Sequence, residues 1–362
     1  MSASFSISSS TGSYDVAVRQ GLFAEMIDHL QRPTYIADAF FESRFTPDHT
    51  PIFLEATETE KSLDRAPALI ETMRSRGANR GTLLVAIGGG VIQDIAAFAA
   101  SVYMRGLSWS YIPTTVLAMV DSCIGGKSSI NVGPYKNLVG TFHPPSHIYI
   151  DPSLAETLPR DQFASGLIEA AKICFCRGAE SFAAHLATSP SISMSTASLE
   201  ALILNSLLAK KHFIEIDEFD KRERLLLNFG HTFGHAIEGA SHFGIPHGIS
   251  VGLGILCSLA FQRARNIPLD QPSVAALESH LHQMIRTLPG LREQLTALDL
   301  TDVLNRFASD KKHSSTDFTL ILIAPSGEVV LEEIPRSPAL DQSIQHAISA
   351  TIDFVTRSLE AA

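Results

Sequence analysis

Residues 83–100 read LLVAIGGGVIQDIAAFAA, and this stretch decides the fold. The apolar run at 83–87 predicts a buried strand, the three glycines predict a tight turn, and the second apolar run predicts a helix. In this order they can bring bare backbone N–H groups to a diphosphate at the helix N-terminus. The spacing does not match G-x-G-x-x-G, and a turn without a ligand explains the glycines equally well. Both interpretations stay open.

Short β-rich runs alternate with helical stretches over the first part of the chain. Strand-like runs occur at 14–18, 34–37, 51–54, 82–87, 109–112 and 147–150. This alternation predicts an α/β domain with a largely parallel sheet over residues 1–152.

The pattern changes after residue 151, where strand-like runs nearly disappear. Helical spacing of apolar residues at 162–175, 199–213 and 231–240 predicts a helical domain over residues 153–362. Two β-rich runs, 318–323 and 329–334, flank Pro-Ser-Gly and predict a hairpin near the end of this domain. Apolar residues at helical spacing from Ile344 to Leu359 predict a last helix that packs on the core.

Composition excludes several classes of protein. The 362 residues are 45% hydrophobic and 18% charged, which excludes disorder and suggests roughly two domains. The formal net charge of −10 opposes general nucleic-acid binding, so none is expected. An anionic ligand would need a local basic pocket.

Cysteine use and hydropathy indicate a protein of the cytoplasm. The 4 cysteines are too few and too irregularly spaced for a disulfide framework or a Cys-rich zinc site, so reduced thiols are expected. Residues 1–13 are rich in serine and lack the basic start and apolar stretch of a secretory signal. The longest apolar stretch, 249–261, is shorter than the roughly 20 residues a membrane span needs, so a buried helix and no membrane partner are predicted.

Charged residues are scattered through the otherwise apolar stretch 105–137. Arg105, Asp121, Lys127 and Lys136 carry charges of both signs. Residues 125–128, GGKS, superficially resemble a P-loop, but aspartate stands at 121 where a Walker A motif needs glycine. A solvated surface would also explain these charges, but their placement among apolar runs favours a pocket.

The segment 228–235, NFGHTFGH, is the strongest chemical signal in the chain. Its spacing puts Asn228, His231 and His235 on one face of a predicted helix. His247 follows in a Pro-His-Gly turn, and Glu169 lies within an apolar helix, so a carboxylate and imidazoles could hold a catalytic zinc ion. A single histidine on an apolar face is usually a core residue, but the set favours a metal site.

Basic residues recur around these motifs. Lys172 follows Glu169 by three positions on the same helical face, and Lys210 and Arg224 precede the histidine segment. Each of them alone would be expected at the surface. Their concentration indicates binding of phosphate and carboxylate, with Arg224 suited to a bidentate contact.

Several long, ordered motifs together resemble the 3-dehydroquinate synthase family of sugar phosphate cyclases. These motifs are GGGVIQDIAAFAA at 88–100, IPTTVLAMVDSCIGGK at 112–127, GLIEAAK at 166–172 and NFGHTFGHAIE at 228–238. The resemblance extends from about residue 14 to residue 334. It implies an N-terminal Rossmann-like domain that binds NAD, an all-α C-terminal domain that binds zinc or cobalt, and a homodimer.

The resemblance also implies roles for individual residues. The metal ligands implied are Glu169, His231 and His247, which leaves His235 to contact the substrate or relay a proton. The NAD contacts implied are Asp38, Glu58, Lys61, Gly88, Gly89, Gly90, Asp94, Thr114 and Thr115. The catalytic residues implied are Arg105, Asp121, Lys127, Lys172 and His235. The substrate contacts implied are Lys136, Asn137, Lys210, Arg224, Asn228 and one or both of Lys311 and Lys312.

The reaction implied is a closed redox cycle on a phosphorylated seven-carbon sugar acid. NAD oxidises one alcohol, phosphate leaves, NADH returns the hydride, and ring opening followed by an aldol step closes the carbocycle. Lys210, Arg224 and Asn228 are retained, which favours a carboxylated substrate: 3-deoxy-D-arabino-heptulosonate 7-phosphate, of the shikimate pathway, or its 4-amino analogue. Sedoheptulose 7-phosphate is the alternative.

Some positions depart from the family pattern. Gln93, Thr57 and Tyr135 each replace a glycine, and Ile249 replaces an acidic residue.

Two other functions remain open. One is a metal-dependent polyol dehydrogenase like glycerol dehydrogenase, which would release NADH, and the other is a catalytically inactive binding protein.

Overall fold

The chain folds into two compact units, each described here by itself. The computed structural model describes residues 3–30, 33–133 and 135–360. The first unit comprises Met1–Leu158 and Ser195–Phe219, and the second comprises Pro159–Met194 and Asp220–Ala362.

Residues 153–158 belong to the first unit, although the sequence-based division at residue 152 assigned them to the second domain. The same is true of one helix, Thr196–Ile216. Its buried Ser206 hydroxyl donates to the Val120 carbonyl at 3.0 Å. A periodicity of apolar residues shows that a helix has a buried face, but not which neighbour covers it. Residue 152 as a functional boundary stays a prediction.

The first unit is built on a seven-stranded sheet of order β1-β2-β9-β6-β5-β3-β4, and β7 pairs with β8 in a separate antiparallel hairpin. The strands are β1 Ala3–Ser9, β2 Gly12–Val18, β3 Thr34–Asp38, β4 Ile52–Leu54, β5 Leu84–Gly88, β6 Trp109–Pro113, β7 Lys127–Val132, β8 Tyr135–Phe142 and β9 His147–Ile150. The helices are α1 Leu22–His29, α2 Ala66–Ser75, α3 Gly90–Val102 and α6 Thr196–Ile216.

The sheet order confirms the predicted parallel α/β layer. Strands β4, β3, β5, β6, β9 and β2 pair in parallel, and β1 adds an antiparallel edge. The six predicted strand runs are present. Strands β1, β7 and β8 were missed. In β1 serine alternates with apolar residues, a pattern that indicates a strand and was overlooked, whereas β8 lies mostly exposed and its alternation is weak.

Strands β3 and β5 are neighbours in the sheet. From β3 the chain continues to β4 on one side of this pair, and from β5 it continues to β6 on the other side. The carboxyl ends of β3 and β5 therefore flank a topological switch point, where open α/β sheets bind ligands. All five residues of β5 are buried, and α3 follows directly after the glycine turn. The structure thus confirms the strand, turn and helix predicted from residues 83–100.

The second unit is helical, with one hairpin. The helices are α4 Arg160–Arg177, α5 Ala179–Ala187, α7 His231–Ala240, α8 His247–Ala264, α9 Pro272–Ile285, α10 Leu291–Thr296, α11 Leu300–Ala308 and α12 Pro338–Glu360; the strands are β10 Asp317–Ile323 and β11 Val329–Pro335. Strands β10 and β11 pair antiparallel with Phe318 opposite Ile334, as the hairpin prediction requires. Among the described residues, no helix combines the length and the hydropathy that a bilayer crossing demands.

Glycines allow three helices of this unit to approach closely. A Cβ atom on Gly254 of α8 would lie 2.0 Å from the Gly230 carbonyl oxygen, and one on Gly234 of α7 would lie 2.7 Å from the Ser250 carbonyl oxygen. At the start of α8, a Cβ on Gly248 would lie 2.1 Å from the Ser165 carbonyl oxygen of α4. Only glycine permits these backbone contacts. The N-termini of α7 and α8 and the middle of α4 are therefore held together.

We expect Gly254→Ala to separate α7 from α8, because its new methyl group meets backbone atoms that cannot rotate away. The predicted cost is about 2 kcal/mol or more in the free energy of unfolding, measured by urea denaturation. Gly252→Ala in the same helix is the matched control, since its Cβ would meet only side-chain methyl groups, at 3.2 Å and beyond. Equal losses in both variants would contradict the close-approach argument.

Candidate active site

The glycine turn after β5 is packed tightly against the end of β6. The Gly88 carbonyl accepts hydrogen bonds from the Thr114 backbone N–H and the Tyr111 hydroxyl, both at 3.0 Å. A Cβ on Gly89 would lie 2.8 Å from the Thr115 methyl group, whereas one on Gly90 would have only the Ser122 hydroxyl, at 4.0 Å. The first turn of α3 therefore has open space beside Gly90, where an anion can approach backbone N–H groups.

Asp38 ends β3, the strand next to β5. Its carboxylate accepts a hydrogen bond from the Phe40 backbone N–H at 3.0 Å. The structure thus brings Asp38, the glycine turn and Thr114–Thr115 to one edge of the sheet, at the ends of three neighbouring strands. Such an edge can receive a dinucleotide.

Asp94 lies between Ile92 and Ile95 in α3, where a carboxylate needs a partner. Lys61 Nζ lies 2.7 Å from Asp94 Oδ2, and the Ser129 backbone N–H donates to Asp94 Oδ1 at 2.9 Å. Burial raises the pKa of the Asp94 carboxyl, while the Lys61 charge and hydrogen bond oppose that shift. Glu58 lies 3.9 Å from Lys61 Nζ and also accepts from the Asn131 amide at 2.8 Å. These groups join α3 to β7.

The half-buried Asp121 and the buried Lys210 form a second ion pair in the first unit. Lys210 is only 6% exposed, and its Nζ lies 2.8 Å from Asp121 Oδ1. The same ammonium donates to the carbonyl oxygens of Asp121 and Ile124, at 2.5 and 3.2 Å. Lys210 therefore fixes the turn that carries Asp121.

The β7–β8 hairpin carries three predicted residues. Lys127 Nζ lies 5.9 Å from the centre of the Phe142 ring, and Lys136 Nζ lies 3.8 Å from Glu58. Asn137 adopts a left-handed backbone with φ of 53°.

Arg105 is exposed and follows the C-terminal end of α3, so the structure does not bring it near the glycine turn.

In the second unit, α4, α7 and α8 bring Glu169 and three histidines together. One ligand atom from each of His231, His235 and His247 lies within 4.8 Å of the others. The 1% exposed Glu169 places Oε1 3.8 Å from His247 Nε2, and the buried Lys172 ammonium donates to its Oε2 at 2.5 Å. Glu169 Oε1 is buried and has no hydrogen-bond partner among the described residues. A divalent cation would satisfy this oxygen, so the donor set suits zinc or cobalt.

The surroundings move the pKa values of His231 and His247 in opposite directions, and only the shift of His231 favours the neutral imidazole. Burial lowers the pKa of His231 well below its usual range, and the Lys172 charge adds to the effect. Burial also disfavours the charged form of His247, but its hydrogen bond to the Glu238 carboxylate and the charges of Glu238 and Glu169 outweigh that effect and raise its pKa. A neutral imidazole is the form that binds a metal.

Glu238 is a residue that the sequence analysis missed. Its Oε2 lies 3.1 Å from His247 Nδ1, on the opposite side of the ring from Glu169. A metal-bound histidine commonly donates its second ring N–H to a carboxylate, which fixes the tautomer and the ring plane. The signal was present, because Glu238 follows His235 by three positions and therefore lies on the same side of α7.

The prediction that Asn228 shares a helix face with His231 and His235 is wrong. Gly230 has a φ of 78°, and α7 begins only at His231, so Asn228 lies in the preceding turn, where its amide donates to the Leu225 carbonyl at 3.0 Å. The left-handed backbone of Gly230 separates the turn that contains Asn228 from the start of α7. Helical spacing alone could not detect this break.

Three further basic residues of the sequence analysis lie in this unit. Arg224 is 4% exposed and so is not the surface charge expected of an isolated arginine. Lys311 is exposed, whereas Lys312 binds Asp310 at 2.8 Å and lies close enough to His235 to lower its pKa, after the larger effects of desolvation and His247. Of the two lysines, the structure associates Lys312 with the histidine cluster.

Comparison with known proteins places this arrangement in a family. The model of the 3-dehydroquinate synthase N-terminal domain matches residues 51–165, and that of the C-terminal domain matches residues 166–313. A 3-dehydroquinate synthase of Latilactobacillus sakei is 34% identical over 79% of this chain and 78% of its own length. One of Saccharolobus solfataricus is 36% identical over 78% of this chain and 79% of its own.

A solved structure of 2-deoxy-scyllo-inosose synthase, complexed with carbaglucose-6-phosphate, NAD+ and Co2+, has the same fold. Its TM-score is 0.82 over 96% of this chain and 99% of that one, at 23% identity. The family models cover most of the chain, and the two synthases exceed 30% identity over more than two thirds of it. This chain belongs to the 3-dehydroquinate synthase family.

Proposed function

We propose that this chain is a 3-dehydroquinate synthase, which converts 3-deoxy-D-arabino-heptulosonate 7-phosphate to 3-dehydroquinate and inorganic phosphate. The observation that carries the proposal is the buried Glu169, with one oxygen bound to Lys172 and the other 3.8 Å from His247, which clusters with His231 and His235. The reaction is inferred from the two similar 3-dehydroquinate synthases, and the retained Arg224 supports a carboxylated substrate.

We assign the metal to Glu169, His231 and His247, as the family resemblance implies. When bound, a zinc or cobalt ion would supply Lewis-acid polarisation of a substrate oxygen. Glu238 would orient His247, and Lys172 would balance the Glu169 charge. Desolvation, with His247 and Lys312, lowers the pKa of His235 to about 4, which favours its neutral form, and in this form the ring would contact the substrate.

We assign NAD to the switch point of the first unit, where it would supply a reversible hydride acceptor. The N-terminal turn of α3 would bind the diphosphate through backbone N–H groups. The solved 2-deoxy-scyllo-inosose synthase binds both NAD+ and Co2+, which supports this pair of cofactors.

The substrate would be held mainly by basic groups. Lys127, Lys136 and Asn137 would bind the phosphate, and Arg224 with Asn228 would bind the carboxylate. Such local positive charge is needed because the whole chain carries a net charge of −10. A homodimer in the cytoplasm is the expected form, on the strength of the family alone.

The reaction itself is the first test. With catalytic NAD, zinc or cobalt, and the heptulosonate phosphate, we expect one phosphate released per substrate without accumulation of NADH, because the hydride is returned in every turnover. Phosphate is measured colorimetrically and NADH by absorbance. Stoichiometric NADH with a polyol would instead indicate a dehydrogenase, and no turnover of any sugar phosphate would indicate a binding protein.

Recognition of the carboxylate is tested at Arg224. We expect Arg224→Ala to raise KM for the heptulosonate phosphate about 10- to 100-fold, because a bidentate contact to a carboxylate is lost, with the Kd for NAD unchanged. Arg222→Ala is the control, since Arg222 is exposed two positions earlier. Equal turnover of sedoheptulose 7-phosphate and the acid by the unchanged protein would contradict a carboxylate-specific site.

Metal binding is tested at Glu238. The Glu238→Gln variant keeps the shape of the side chain but loses the charge that holds the His247 ring, so zinc affinity should fall about 10- to 100-fold in competition with a chromophoric chelator. Glu278→Gln is the control, because Glu278 pairs with Arg263 at the surface of the same unit. A zinc Kd unchanged within twofold in Glu238→Gln would refute the orienting role.

A further inference from the structure

Gln93 makes a pair of hydrogen bonds that the proposed function does not use. It lies one turn into α3, at a position where the family usually has glycine, and is only 3% exposed. Its Nε2 donates to the Ser122 carbonyl oxygen at 2.6 Å, and its Oε1 accepts from the Ser122 hydroxyl at 2.6 Å. A side-chain amide that both donates to and accepts from one residue fixes the position and the orientation of that residue.

The two ends of this clamp belong to different parts of the first unit. Gln93 is in the helix that begins at Gly90, and the Ser122 hydroxyl lies beside that glycine, 4.0 Å from where its Cβ would be. Ser122 directly follows Asp121, whose carboxylate binds Lys210 at 2.8 Å. The Gln93–Ser122 clamp therefore connects the glycine turn to the Asp121–Lys210 pair.

We propose that Gln93 is a positioning residue that holds Asp121 and Lys210 in register with the N-terminal turn of α3. The inference rests on the proposed function, in which the cofactor binds at that turn and the substrate contacts Asp121 and Lys210. Misplacement of reacting groups by about 1 Å can lower a rate on the order of 100-fold. The clamp supplies this alignment without touching either ligand.

The test uses Gln93→Met, which keeps the length of the side chain and removes both hydrogen bonds. Gln262→Met is the matched control. Gln262 is buried in α8 of the second unit, donates to the Ile323 carbonyl at 2.6 Å and accepts from the Ile323 backbone N–H at 3.0 Å. Both variants lose a similar pair of bonds, so a purely structural loss should appear in both.

Two readouts are measured in each variant. The first is the rate at which a thiol reagent labels Cys123, measured by peptide mapping. Cys123 adjoins Ser122 and is 1% exposed. The second is kcat with saturating substrate, together with the Kd for NAD. In Gln93→Met we expect Cys123 labelling to rise at least fivefold and kcat to fall about 10- to 100-fold, with the Kd for NAD within threefold of the unchanged protein. Gln262→Met should leave the labelling rate, kcat and the Kd for NAD unchanged.

The outcomes separate this inference from the proposed function. An unchanged Cys123 labelling rate in Gln93→Met, or an increased rate with unchanged kcat, overturns the positioning role. A similar loss of kcat in Gln262→Met also overturns it, because general destabilisation then explains the result. If the unchanged protein releases no phosphate from any sugar phosphate, the proposed function fails. In that case the Cys123 labelling rate still tests whether Gln93 holds Ser122 in place. A rate increase confined to Gln93→Met supports the clamp, and no increase refutes it.

Discussion

A carboxylate buried within a helical unit sets the requirement that the rest of the site meets. Glu169 is 1% exposed, and a buried charge is strongly unfavourable unless cations and hydrogen bonds surround it. Lys172 satisfies one oxygen, and the other faces the imidazole cluster. The close approach of α4, α7 and α8 makes this possible, because the histidines at the start of α7 and α8 then face the middle of α4. The close packing at the glycines is therefore a condition for the chemistry of the site.

The sequence predicted those parts of the structure that depend on local pattern. Residues 83–100 form the expected strand, turn and helix because β5 is buried throughout and glycine alone permits the close contact with Thr115. The place of Asp94 between apolar residues of a helix requires a partner, although the local pattern does not identify it as Lys61. Lys172 and Glu169 meet as their spacing of three residues requires.

Other features depend on contacts between distant segments, which local pattern does not contain. Spacing placed Asn228 with the histidines, but the left-handed Gly230 separates them. Helix α6 has the periodicity of its helical neighbours in sequence, yet it packs in the α/β unit. The spacing puts Glu238 on the same side of α7 as His235, but only the placement of α8 shows that it contacts His247, and only the placement of the segment after α11 shows which of Lys311 and Lys312 lies near His235. A buried polar group such as Gln93 cannot be assigned a partner from sequence at all.

The central claim is that Glu169 is a metal ligand and that His235 is not, although His235 shares a helix with His231 and lies in the same cluster. Anomalous diffraction at the zinc absorption edge, from crystals of the protein loaded with zinc and NAD, measures this directly. The account predicts one strong peak within about 2.3 Å of Glu169, His231 and His247, with His235 outside bonding distance. A peak bonded to the three histidines, with Glu169 still bound only to Lys172, would contradict it.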